Sequence, residues 1–152
     1  MQSDEAVALA ATIAAAFGNG PVLPRRAFVY EGTWETRTLI RHLAAVHDRP
    51  DDRFIEQHYH SLSAFTAQGL RHVLPAYLIY SLKHPASDAT ERVIFHLSPA
   101  DTTEEYWRER LAVFTPAQKR AICEYVRFMQ SELAGEHYDE YLTRALAVWR
   151  CS

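Results

Sequence analysis

Apolar residues recur along this chain with the spacing of helices. Between Thr66 and Lys83, the positions Leu70, Val73, Leu74, Tyr77, Leu78 and Leu82 repeat at i, i+3, i+4 and i+7, which predicts one amphipathic helix. Pro75 falls inside that run. Its ring excludes the hydrogen bond to residue 71, so a kink or split is expected near 72–74. The amino-terminal Ala6–Phe17 run is apolar and Ala-rich, with Ser3 and two acids before it and Gly18 after it, the signature of a capped and terminated helix. The basic stretch that opens a secretory signal is missing here, and about twelve residues are too few to span a bilayer.

Further elements follow from the same reasoning. Residues 18–30 carry Pro21 and Pro24 and no period, which predicts a loop with an extended piece at Phe28–Tyr30. Thr33 caps a helix to about Val46, ended by Arg49-Pro50-Asp51, and a third helix is expected from Asp52 to Leu62. In 91–97, Val93, Phe95 and Leu97 alternate as in a strand. No other segment offers a strand partner, however, and Asp88-Ala-Thr-Glu91 reads as a capping box, so a short helix is expected. Thr102 or Thr103 should cap a helix over Glu104–Phe114, and Thr115-Pro116-Ala-Gln118 opens another to about Leu133, stopped by Gly135. A last helix runs from His137 to Arg150. The expected class is all-α: a multi-helix bundle with a proline-kinked central helix, forming a single domain over residues 1–152.

Length and composition leave that picture intact and narrow the function. A chain of 152 residues with 48% hydrophobic side chains buries enough surface to fold without a metal or a disulfide staple. Sixteen bases against nineteen acids give a net charge of -3, with no basic run longer than Arg25-Arg26, so nucleic acid is not the expected partner. No membrane partner is expected either. Two cysteines, Cys123 and Cys151, share no metal or redox spacing. They predict no thiol site, a reducing compartment and a cytoplasmic address, with Cys123 a small buried hydrophobe.

Several segments resemble, in order and spacing, a family of small bacterial proteins classed as a domain of unknown function. These are Trp34 after a Thr, Phe65-Thr66 leading to Leu74-Pro75-Ala76-Tyr77, then Phe95-His96-Leu97, and finally Phe114-Thr115-Pro116 with Gln118 and Ile122. The resemblance spans roughly residues 30–130. It implies a helical fold and supplies no activity or catalytic residue.

Candidate chemistry is sparse. Asp52, Glu56 and His60 stand at i, i+4 and i+8, and would line one helical face with donors suited to zinc or non-haem iron. One helix cannot converge all three on a single ion. The same spacing serves a solvated ion-pair face, which is the preferred reading. Arg71, His72 and Tyr77 gather around the backbone that Pro75 leaves incompletely paired and form a candidate pocket, weighed against a plain bend around the core. Trp34, Trp107 and Trp149 are expected in the core. No nucleophile elbow, phosphate loop or dinucleotide fingerprint occurs, and no cofactor is expected. The function expected on these grounds is a non-catalytic protein-interaction module, such as an adaptor or an immunity-type protein. The alternative is an enzyme with a noncontiguous site, metal-dependent through Asp52, Glu56 and His60 or metal-free around Arg71, His72 and Tyr77.

Overall fold

A computed structural model describes residues 2–18, 23–30 and 32–152, which form an all-α, multi-helix fold with no strand among them. The elements are α1 (Asp4–Phe17), α2 (Trp34–Ala45), α3 (Asp52–His58), α4 (Ala67–Lys83), α5 (Asp88–Leu97), α6 (Glu105–Ala112), α7 (Pro116–Glu132) and α8 (Asp139–Val148). Short 3-10 turns occupy Arg25–Ala27 and Leu62–Ala64.

The helix starts show why these boundaries arise. Ser3, Thr33, Asp51, Thr66, Ser87 and Thr115 each accept a bond from a backbone N–H of the first turn, satisfying donors the helix cannot use internally. Thr115 and Gln118 form the expected reciprocal box. At α5 the cap is Ser87 bonding Thr90, one residue before the expected Asp88. Neither Thr102 nor Thr103 caps α6, because Thr103 donates both its N–H and its hydroxyl to Asp101 and Glu104 takes the cap position.

Central α4 packs against α1, α3, α5 and α6, while α7 packs against α1 and α8. Val73, Leu74, Tyr77 and Leu78 are buried on α4, and Ile122, Tyr125, Val126 and Met129 on α7. Where the two helices bring hydroxyls together in the core, Ser81 and Tyr125 share a 2.6 Å hydrogen bond, so neither is left unpaired. Burial pushes the Tyr125 phenol well above its ordinary range. The helix runs unbroken from Ala67 to Lys83, so the split expected near Pro75 does not occur.

One crossing depends on a glycine. The backbone at Phe28 lies on the first turn of α4, and a Cβ on Gly69 would stand 2.0 Å from the Phe28 carbonyl oxygen. Thr66 fixes the crossing by donating its N–H to Phe28 and its hydroxyl to Ala27. Val29 and Phe65 make an isolated antiparallel bridge beside it, so the extended piece expected at Phe28–Tyr30 is found at Val29, while Phe28 is helical at the end of the 3-10 turn. The expected loop positions Asn19 to Val22 lie outside the described residues.

Candidate functional site

The two cysteines change the picture most. Cys123 Sγ and Cys151 Sγ are bonded, linking the middle of α7 to the segment after α8 and closing a loop of 28 residues. A loop of that size stabilises by about 3–4 kcal/mol, mainly by constraining the unfolded chain. This corrects the expectation of no thiol site, and with the thiols paired the ground for expecting a reducing compartment is gone. Nothing in the spacing announced the bridge. Its geometry comes from α7 and α8 packing side by side.

The bridge stands in the wall of an open groove of about 1140 Å³ between the end of α6, the outer face of α7 and the chain after α8. Arg108, Lys119, Arg120, Arg127 and Arg150 line it, against Glu124 as the acid among its lining residues. Lys119, Cys123 and Arg127 are four residues apart on α7, so they share one face. The described ion pairs, Arg25–Asp48 and Lys83–Asp52, involve none of these five bases. Arg127 donates to the main-chain oxygen of Ser152, so the groove already holds one oxygen acceptor from its own chain. Between the cations the surface is apolar, with Leu111, Pro116 and Val148. Sequence reading missed the patch, because Arg108 and Arg150 come from other elements than α7.

A second cationic centre lies in the interior. Arg110 of α6 is 1% exposed, and its guanidinium donates to the Phe65 carbonyl, to the Leu62 carbonyl at 2.8 Å and to His96 Nε2 at 2.9 Å. Tyr106 and Trp107 place their rings 4.6 and 5.8 Å from it, a cation–π arrangement in a desolvated site. His96 accepts from Arg110 and is therefore neutral; burial, and then the charge of Arg110, push its pKa down to about 3. Arg110 Nε is buried with no hydrogen-bond partner among the described residues. Sequence reading passed over Arg110, since a single Arg at that position carries no signal of burial.

The expected site residues are placed apart. Helix α3 ends at His58 instead of Leu62, so His60 lies beyond it and does not share a helical face with Asp52 and Glu56. Asp52 pairs with Lys83 at 3.0 Å, Glu56 is exposed, and the His60 ring meets that of Tyr59. Among the described residues no cluster of three or more His, Cys, Asp or Glu side chains could hold a metal ion. Around Pro75, Arg71 donates to the Val113 carbonyl at 3.0 Å, His72 Nε2 meets the Asp48 carbonyl at 2.6 Å, and the buried Tyr77 hydroxyl donates to the His58 carbonyl at 3.0 Å. Three different segments take these side chains. His42 and His58 form a close imidazole pair at 2.8 Å that sequence reading did not single out. Burial first, then His42, lowers the His58 pKa. Trp149 is buried as expected, whereas Trp34 is 72% exposed at the first turn of α2, which corrects its placement in the core.

The fold and the groove define a helical protein with a groove lined by five bases on a mildly acidic chain. The chain belongs to a family of unknown function (DUF6714), whose profile matches residues 30–151. No curated protein and no solved structure matches it. No helix among the described residues is long and apolar enough to cross a membrane.

Proposed function

We propose that this protein is a non-catalytic bacterial interaction module of the adaptor or immunity type, and that its basic groove receives an acidic segment of a partner protein. One observation carries this reading: five bases converge on one groove and none of them is in an ion pair with a side chain among the described residues, on a chain whose net charge is -3. Cations left unpaired at a surface favour an anionic partner and speed its approach. The apolar stretches between them suit a polypeptide, whose side chains alternate in character. They suit nucleic acid less well, because Trp149, the aromatic residue of the lining, is turned inward with its Nε1 bonded to the Leu97 carbonyl and offers no stacking face. Against the enzyme alternative stands the engagement of Arg71, His72 and Tyr77 with three separate backbone carbonyls.

The bacterial origin draws support from the preference for Arg over Lys and from the resemblance described above. We place the module in the cytoplasm. Its most signal-like segment, α1, buries Ala6, Leu9 and Ile13 against α4 and α7 and so belongs to the folded core.

The test is fluorescence anisotropy with a labelled acidic peptide alternating Glu and Leu, beside a single-stranded oligonucleotide of similar charge. The peptide should bind, lose at least tenfold in affinity in the Lys119→Glu/Arg120→Glu variant and weaken steadily with added salt. Tighter binding of the oligonucleotide, or peptide binding indifferent to both substitutions, would defeat the proposal.

A further inference from the structure

We infer that the Cys123–Cys151 disulfide is a reducible clasp that sets the binding state of the groove; this rests on the groove being the binding site. Four observations support it. The bridge is the covalent tie between α7 and the segment Arg150–Ser152, and both contribute lining to the groove. Cys123 is buried and Cys151 is only partly buried, so the Cys151 side is the one open to attack by a soluble thiol. Arg150 sits at φ 54, a left-handed conformation that side-chain-bearing residues adopt reluctantly, and it is one of the five bases. Lys119 and Arg127, one turn to either side of Cys123, favour the thiolate form that the leaving sulfur must take.

The reductant is a dithiol of the thioredoxin or dithiothreitol kind. Its thiolate attacks Cys151 Sγ, the S–S bond breaks, and Cys123 leaves with the electron pair as a thiolate. The second thiol of the reductant then attacks the mixed disulfide, giving the oxidised reductant and a Cys151 thiolate that takes a proton from water. Two electrons pass and two protein thiols result. Without the clasp, Arg150 relaxes out of its left-handed conformation, the contact of Ser152 with Arg127 is lost and one wall of the groove opens. The oxidised protein is then the form that binds. In the cytoplasm, disulfides usually act in this transient, signalling way and seldom as permanent staples.

The experiment measures binding of the acidic Glu/Leu peptide to the oxidised protein, to the same protein under excess dithiothreitol at low temperature, and to the Cys123→Ser/Cys151→Ser variant, with circular dichroism recorded on each. The expected result is at least a fivefold loss of affinity in the reduced protein, with its helical signal kept and affinity restored on reoxidation. Affinity unchanged within twofold in a folded reduced protein overturns the clasp while leaving the groove reading intact. A reduced protein that unfolds outright also overturns it, since the bridge is then a staple of the fold. Should the oxidised protein itself fail to bind the peptide, the groove reading falls first. If the double variant does not fold, the dithiothreitol arm decides alone.

Discussion

Arg110 and the five bases of the groove form no ion pair with a carboxylate side chain among the described residues, and they differ in how their donors are used. Around Arg110, two backbone carbonyls, a neutral imidazole and two aromatic rings take up the charge, and nothing from solvent reaches it. In the groove, Arg108, Arg120, Arg127 and Arg150 are exposed, and among the described residues only Arg127 of these four has a hydrogen-bonded acceptor, at Ser152. A cation whose donors are spent on its own backbone holds two segments together, here α6 and the turn before α4. A cation whose donors are free is available to another molecule. Charge count alone would have treated the two sites alike.

The sharpest way to break this comparison is Arg110→Ala. Two buried carbonyls and His96 would lose their donor, so stability should fall by about 3–5 kcal/mol in urea unfolding, while the folded fraction keeps its affinity for the acidic peptide. A loss below about 1 kcal/mol would show that Arg110 does not hold these segments.

Proton linkage tests the same centre less drastically. His96 is neutral in the native protein and has its pKa lowered to about 3, whereas in the unfolded chain it takes a proton near its ordinary value. The unfolded state therefore binds more protons below about pH 6.5, and the stability is full above that pH and lost as the pH falls towards about 3. One such group contributes a slope of at most about 1.4 kcal/mol per pH unit. His58, also lowered, adds to it in the same sense. His96→Gln should flatten the dependence without abolishing it; an unaltered slope between pH 6.5 and 4.5 would exclude His96 as the source. The smallest effects belong to the surface: Arg120→Ala in the groove and Asp52→Ala at its exposed ion pair should each shift stability by less than about 0.5 kcal/mol. A larger change at Arg120 would make the groove part of the scaffold.

What the sequence disclosed was local. Helices with a Ser, Thr or Asp cap and an apolar stripe were legible because both signals lie within a few residues, as at Thr66 for α4 and Thr115 for α7. Errors arose where a side chain had two local choices: Thr103 bonds Asp101 instead of capping α6, and α3 stops at His58 although its apolar spacing continues to Leu62. The functional surface was illegible because it is nonlocal. Arg108, Lys119 and Arg150 meet only after α6, α7 and α8 have packed, and the two cysteines meet by the same event. Gly69 shows the same limit: only the crossing of Phe28 reveals why no side chain fits there.

The position of α1 bears on the order in which the molecule is built. This helix precedes both elements that it packs against: the surfaces that cover Ala6, Leu9 and Ile13 belong to α4 and α7, and α7 ends only at Glu132. Fourteen residues of Ala-rich helix are marginal alone in water. Until α7 has emerged, α1 has at most α4 to dock on, and closing so long a loop is entropically slow. A segment made before its partners thus waits for them to be seated. During synthesis its apolar face stays open to other chains and to chaperones, a period of vulnerability that the finished structure conceals.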